Sequence, residues 1–267
     1  MKFPRGSARL IRRMIKKIHH VGIVVESLAF ACRFWRDALG LPLVREAEIA
    51  DQGVRAALLA AGDSEIELLE PTRADTGVAR FLAKRGEGLH HICLETPNVD
   101  ADLGALKAQN VALLDRAPRQ GLAGRIAFLN PSACGGVLVE LATPPPHDVA
   151  PADSPVRFKR LVIGCRDPQD MTKRYQQLFG LPEVAVNDGP RSMLGWSGGG
   201  TLLMVPASEV GGTLGMAALS MVAPELAPLV QRLQKVDAMM FSGASEITLK
   251  PEATNNVHVH ISRYHFP

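Results

Sequence analysis

The sequence of 267 residues predicts an α+β fold that consists of four βαβββ units paired into two domains. Three observations lead to this fold. Short apolar strands accompany single amphipathic helices, the same order of strand, helix and three strands recurs along the chain, and a proline-rich stretch interrupts the pattern near its middle. The domains are expected at residues 16–143 and 157–267, with a linker at 144–156 and a flexible extension at 1–15.

The first unit opens with a β-branched strand and continues as a helix with a broad apolar stripe. Ser27 has the side chain that a helix N-cap requires, and Gly40 is the residue type expected just after the last turn. We therefore expect a helix from Ser27 to about Leu39. Strands of this unit are expected at His20–Val25, Leu43–Ala47, Val54–Ala60 and Glu65–Leu69.

The remaining units repeat this order. The third unit aligns with the first without a gap, since Gly180-Leu181-Pro182 repeats Gly40-Leu41-Pro42 at a shift of 140 positions. Helices are expected at about Val99–Gln109, Pro168–Phe179 and Glu225–Lys235, and further strands at Ala112–Asp115, Arg125–Leu129, Val137–Ala142 and Arg157–Cys165. The fourth unit is expected from about Leu214 to Arg263.

Charge and composition exclude several classes of function. Residues 1–17 hold seven basic residues and no acid, so the net charge of +3 belongs to this extension and the rest of the chain is negative. A nucleic-acid-binding surface is therefore not expected. No apolar run reaches the roughly 20 residues that span a bilayer. The four cysteines lack CxxC spacing, which favours a reducing compartment, and we expect a cytoplasmic protein.

The basic extension itself permits more than one interpretation. It lacks the apolar core of a secretory signal peptide. We interpret it as a flexible extension, or as a start codon placed too early with Met14 as the true initiator. A short transit-like segment is the less favoured alternative.

Four residues occupy matching places in the first two units. His20 and His91 lie in the opening strands, and Glu67 and Glu140 lie in the closing strands, 47 and 49 residues later. If the two units pack face to face, these side chains converge. Two neutral imidazoles and two carboxylates balance the charge of a divalent cation. The repeat thus predicts a metal site, and it leaves open whether the ion is Co, Mn, Ni, Zn or Fe.

Several longer motifs resemble one superfamily. They are Lys17–Ile23, Gln52-Gly53-Val54, Glu65–Pro71, Gly86–Ile92, Arg125–Pro131 and Gly135–Leu141. These motifs resemble the vicinal oxygen chelate (glyoxalase, bleomycin resistance and dioxygenase) superfamily, and residues 16–143 are most similar to methylmalonyl-CoA epimerases. The resemblance implies incomplete β-barrels with flanking helices around a metal, which His20, Glu67, His91 and Glu140 would bind.

The resemblance also implies an activity: epimerisation of an acyl-CoA by C2 proton abstraction through a metal-stabilised enolate. Glu140 is the expected base and Glu67 its partner on the other face. Arg116, Arg119 and Arg125 are candidate contacts for the CoA phosphates, and Lys84 and Arg85 add further charge. A small-molecule acyl-CoA is therefore the expected partner, and a homodimer is possible.

Two positions depart from the resembling family. Some members have a catalytic Glu where this chain has Ala56, and a His-Pro-Lys stretch where it has Asn130-Pro131-Ser132. Two alternatives therefore stay open: a glyoxalase I-type lyase, and a non-enzymatic protein that binds or sequesters a small molecule.

The second half has lost the four-residue set. The equivalent positions are expected to be Arg160, Leu202, Ala218 and His260. One potential ligand cannot hold a metal in this way. We expect the second half to lack a metal and to cover apolar sheet surface of the first.

Overall fold

The computed structural model describes residues 15–146, 153–184, 193–195 and 200–263. The basic extension, apart from Ile15, and much of the predicted linker lie outside the described residues, so their interpretation rests on sequence alone. Within the described part, the chain forms two eight-stranded sheets and five α-helices. Each of these helices is too short or too polar to cross a membrane.

The first sheet precedes the second in the chain. Its strands are β1 (Lys17–Val24), β2 (Leu43–Ile49), β3 (Val54–Ala61), β4 (Ser64–Pro71), β5 (Gly88–Glu95), β6 (Arg119–Gly121), β7 (Gly124–Leu129) and β8 (Val139–Thr143). The second sheet contains β9 (Arg157–Cys165), β10 (Glu183–Val184), β11 (Met193–Gly195), β12 (Thr201–Pro206), β13 (Gly215–Val222), β14 (Met239–Ser242), β15 (Glu246–Leu249) and β16 (His258–Ser262).

Four of the α-helices lie where the sequence predicted a helix, and the fifth was not predicted. The α-helices are α1 (Leu28–Cys32), α2 (Gly77–Arg85), α3 (Val99–Ala108), α4 (Pro168–Phe179) and α5 (Leu226–Lys235). Short 3₁₀-helices lie at Pro131–Cys134, Ala207–Val210 and Pro251–Ala253.

Two βαβββ units join edge to edge in each sheet. The strand order of the first is β2-β3-β4-β1-β5-β8-β7-β6, so the opening strands β1 and β5 are neighbours and run antiparallel. β1 is parallel to β4, and β5 is parallel to β8. The second sheet repeats the order with β9 and β13 at its centre. The two units thus form a continuous sheet through edge-to-edge pairing, and its four central strands carry the four predicted ligands.

The first helix differs from its prediction in one respect. Ser27 caps α1 as expected, since its side chain accepts a hydrogen bond from the Phe30 N–H. After Cys32, however, the helix widens into a π-helix from Arg33 to Ala38. The backbone carbonyls of Ala38 and Leu39, at its end, accept hydrogen bonds from Arg232 of α5. Contact with the second half thus satisfies acceptors that a helix end leaves open.

Two elements of the first half were predicted wrongly or not at all. Ala112–Asp115 is not a strand, because only Leu113 forms an isolated bridge, to Leu129; the edge strand is β6 instead. Helix α2 was not predicted. Its signals are present in the sequence, since Thr76 caps it through the Ala79 N–H and two basic residues occupy its last turn.

The two halves share one apolar core that runs through both sheets. Trp35 is fully buried, and its indole N–H donates to Asn255 of the second half. Tyr175 of α4 is also fully buried and donates to the carbonyl of Cys134 in the first half. Each half therefore covers an apolar surface of the other, and each buried aromatic polar group finds its partner across the boundary.

Candidate metal centre

The four matching residues converge on one buried point. The Nε2 atoms of His20 and His91 lie 2.9 Å apart, and Glu67 Oε2 is 3.4 Å from each of them. Glu140 Oε2 lies 3.6 Å from His91 Nε2. All four residues are buried, at most 5% exposed. The structure thus brings together every residue of the predicted ligand set.

The donor atoms have the spacing that a small divalent cation requires. An ion with donors at about 2.1 Å needs neighbouring donor atoms about 3.0–3.4 Å apart in octahedral or tetrahedral geometry. The distances among His20, Glu67 and His91 agree with this range, and these three form a compact cluster of potential ligand atoms. Two buried carboxylates are also costly unless a cation compensates them. The residues therefore fit a divalent metal ion, and Glu140 is the more loosely placed of the four.

Gly22 makes room for one of the imidazoles. The ring of His91 lies directly over Gly22, and a β-carbon at that position would stand 2.2 Å from His91 Cε1. No real contact of this kind is so short, so only glycine permits this ring position. Phe128 contacts the ring from another side, with centroids 5.4 Å apart. Packing against Gly22 and Phe128 therefore holds the His91 ring in position.

Each ligand histidine follows a second histidine that occupies a β-bulge. Along the β1–β5 seam, Ile18 pairs with Leu94 and His20 with Cys93, which leaves His19 as the extra residue. On the facing strand the extra residue is His90. Bulges change the direction of neighbouring side chains, so the imidazole rings of two consecutive histidines can lie close together. His19 Nδ1 is 3.0 Å from His20 Nδ1, and His90 Nδ1 is 3.0 Å from His91 Nδ1.

This pairing orients the ligand rings. A histidine that binds metal through Nε2 carries its proton on Nδ1 and donates it to a neighbour. Burial, with the charge of His91, lowers the pKa of His90 to about 3, and burial with the charge of His20 lowers the pKa of His19 well below its usual range. Both bulge histidines therefore stay neutral and can accept that hydrogen bond.

The two carboxylates of the centre have different electrostatic environments. Burial favours the neutral form of both. At Glu67 the positive charge and hydrogen bonds of His20 and His91 outweigh burial and lower the pKa of the carboxyl. At Glu140 burial dominates and raises the pKa. For His20, burial is outweighed by Glu67, Glu140 and Glu65, which raise its pKa to about 9. Glu67 is thus held as the carboxylate anion, whereas burial favours the neutral form of Glu140.

A cavity of about 880 Å³ opens from the centre. Glu67, His91 and Glu140 lie on its wall, and the bulge residue His90 lies there as well. Its size is that of a site for a cofactor-sized molecule. Basic side chains of α2 line it, namely Arg80, Lys84 and Arg85. The wall therefore combines a buried polar centre with cations that can bind an anionic ligand.

The predicted substrate arginines are not equivalent. Arg119 lines the cavity, with its guanidinium over the Phe128 ring at 5.4 Å and its Nε 3.4 Å from Asp115. Arg125 instead forms a two-point ion pair with Asp100, and neither Arg125 nor the exposed Arg116 is on the cavity wall. The sequence reasoning missed Arg80. Its position on the same short amphipathic helix as Lys84 and Arg85 was the available signal.

The second half holds no equivalent centre in its described residues. Arg160, Ala218 and His260 occupy the expected equivalent positions, but the register of β12 with β9 makes Leu203 the counterpart of Glu67, so the assignment of Leu202 was wrong by one residue. Leu203 packs with other apolar side chains, and no group of potential ligands was found there. The seam β9–β13 nevertheless keeps both bulges, at Lys159 and Ala217.

Comparison with known proteins places this architecture in a family. The model of the glyoxalase/bleomycin resistance protein/dioxygenase superfamily matches residues 19–128. A Cereibacter sphaeroides ethylmalonyl-CoA/methylmalonyl-CoA epimerase is 34% identical over 131 residues, which are 48% of this chain and 98% of that protein. The chain belongs to this superfamily.

Other relatives also match about half of this chain. The uncharacterized protein YqjC of Bacillus subtilis is 42% identical over 49% of this chain and 94% of its own length. The human mitochondrial methylmalonyl-CoA epimerase is 35% identical over 47% of this chain and 72% of its own length. A solved methylmalonyl-CoA epimerase in complex with methylmalonyl-CoA and NH4+ is 39% identical, with a TM-score of 0.49, over 51% of this chain and 99% of that one. These matches each span about half of the present chain.

Proposed function

We propose that this protein is a metal-dependent epimerase of a malonyl-type acyl-CoA thioester. The observation that carries the proposal is the centre of His20, Glu67, His91 and Glu140 at the base of a large cavity with basic side chains on its wall. Relatives that are methylmalonyl-CoA epimerases support the same activity. A divalent ion bound there would supply Lewis-acid stabilisation of negative charge that develops on a substrate oxygen.

The two carboxylates provide what an epimerase needs from its side chains. Inversion at a carbon requires one group that removes a proton and another that delivers one from the opposite face. Glu67 and Glu140 both reach the cavity from equivalent strands of the two units. Glu140 lies outside the compact cluster of three ligands, and burial raises its pKa, so it is the better proton carrier. Glu67 is its counterpart on the other face.

Ala56 does not supply a base. It is fully buried in an apolar cluster with Val54, Leu58 and Leu69. The proposal therefore assigns proton transfer to Glu140 and Glu67 and does not need an acid at this position.

Exchange of the C2 proton tests the proposal. Methylmalonyl-CoA is incubated with the metal-loaded protein in deuterated water, and loss of the C2 proton is followed by NMR. At metal content confirmed equal to that of the wild type, Glu140→Gln should slow exchange by about 10²–10⁴-fold, the usual contribution of a general base. Glu95→Gln, the same change on β5 but outside the cavity, is the matched control.

The outcomes separate the alternatives. Exchange undiminished in Glu140→Gln would move the base to another residue, with Glu67 next. If the wild-type protein exchanges no C2 proton but converts a hemithioacetal, it is a glyoxalase I-type lyase. If it binds the thioester and turns over neither substrate, it is a binding protein.

A further inference from the structure

The second half of the chain contributes one wall of the cavity in the first half. The residues concerned are Thr213–Met216, which lead into β13 and lie beside Gly136–Leu138 of the first half. Matches to the relatives cover nearly the whole of the shorter ones but about half of this chain. This wall lies outside residues 19–128, the part of the chain that the superfamily model matches.

The segment is held firmly in place. The Thr213 N–H donates to the carbonyl of Val210, and the Gly212 N–H donates to that of Ala207, so the segment is tied to the preceding 3₁₀-helix. Its backbone also packs against β9, where a β-carbon on Gly164 would stand 2.1 Å from the Thr213 carbonyl oxygen. The exposed position of Leu214 is thus imposed by a fixed backbone.

Two exposed apolar side chains line this cavity. Of the large hydrophobic residues that are exposed among the described residues, only Leu114 and Leu214 are on its wall, and each is 51% exposed. Leu114 comes from the first half and Leu214 from the second. The polar centre is buried, whereas these two side chains are half open to solvent. They therefore lie where an extended ligand that starts at the centre would leave the cavity.

We propose that Leu214, with Leu114, contacts the pantetheine arm of a CoA thioester, so that the second half determines preference for CoA over shorter thiols. This inference rests on the proposed function. The reacting acyl group would lie at the carboxylates, and the cations of α2 and Arg119 would meet the CoA phosphates. The arm between these ends carries methylene and methyl groups between and beside its two amides, and these apolar groups gain binding free energy by covering apolar side chains. Leu214 is thus a specificity-determining residue and takes no part in proton transfer.

Kinetics with a full and a truncated substrate test this assignment. The substrates are methylmalonyl-CoA and its N-acetylcysteamine thioester, which lacks most of the arm. Leu214→Ala should raise KM for the CoA thioester roughly tenfold, leave kcat unchanged, and leave KM for the truncated thioester unchanged. Val236→Ala is the matched control, because Val236 lies in the same half, is also 51% exposed, and is away from the cavity.

Titration with CoA alone separates this inference from the proposed function. If the wild-type protein binds CoA without turning over methylmalonyl-CoA, the proposed function fails, and the effect of Leu214→Ala on the CoA dissociation constant still decides the role of the wall. Equal constants for Leu214→Ala and Val236→Ala would overturn the inference. An equal rise in KM for both thioesters would assign Leu214 to the acyl end and overturn its contact with the arm. Absence of binding of both CoA and methylmalonyl-CoA by the wild-type protein would overturn both.

Discussion

Substitution of Gly22 by alanine tests whether the metal centre depends on a close approach between strand and ring. The added β-carbon would stand 2.2 Å from Cε1, 2.4 Å from Nδ1 and 2.9 Å from Nε2 of His91. Ordinary carbon contacts begin near 3.5 Å, so the ring must move by about 1 Å. Metal sites tolerate errors of only about 0.2 Å in ligand distance. His91 is 1% exposed and packed against Phe128, so it has little space for another rotamer.

We therefore expect Gly22→Ala to weaken metal affinity by at least about 100-fold, close to the effect of His91→Ala, and to cost about 1–3 kcal/mol of stability through overpacking. Affinity is measured by titrating metal into chelator-treated protein, and stability by denaturant unfolding. Gly104→Ala in α3, where a β-carbon meets nothing within 4 Å, is the control that should keep wild-type affinity. Wild-type affinity in folded Gly22→Ala would refute the argument that packing against Gly22 positions the ligand.

Two further predictions concern the cavity and the thiols. Arg119→Ala should raise KM for methylmalonyl-CoA about tenfold, because Arg119 lines the cavity. Arg125→Ala should leave KM unchanged, because Arg125 is outside the cavity wall and its exposed ion pair with Asp100 contributes little free energy. Equal effects of the two substitutions in steady-state kinetics would contradict this prediction. Burial raises the pKa of Cys134 to about 12 and that of Cys93 well above its usual range, so thiol reagent at pH 8 should label all four cysteines only after unfolding. The Cys134 thiol has a pKa near 9.0 in the unfolded chain and about 12 in the folded protein, so the free energy of unfolding should fall as pH rises through that interval. Denaturant unfolding curves at several pH values measure this fall. Labelling of the native protein would contradict the first thiol prediction, and greater stability at alkaline pH would contradict the second.

The sequence predicted most local elements because their signals are local. The cap at Ser27 and the glycine after α4 define helix ends through neighbouring residues alone, and these positions agree with the structure. The repeat also named the four side chains that converge. What it could not give was the edge-to-edge seam between β1 and β5, since strand pairing depends on contacts about 70 residues apart.

Other features depended on the same long-range contacts. The π-helix after Cys32 ends on carbonyls that Arg232 of the second half satisfies, and no local pattern indicates such a partner. Leu214 likewise reaches the cavity only because the two halves pack together. The bulges at His19 and His90 also break the regular alternation of side chains along β1 and β5.

The bulges in both seams bear on how the centre forms. β9 and β13 keep the two bulges with Lys159 and Ala217 in place of histidines, and the described part of that sheet has no ligand cluster. A seam of this shape therefore arises from strand pairing alone. By the same reasoning the first seam can reach its register before any ion arrives, with the His20 and His91 rings already aimed at each other. An ion that bound at this centre would then have a higher affinity, because little of its binding free energy would be offset by the entropy cost of ordering the chain.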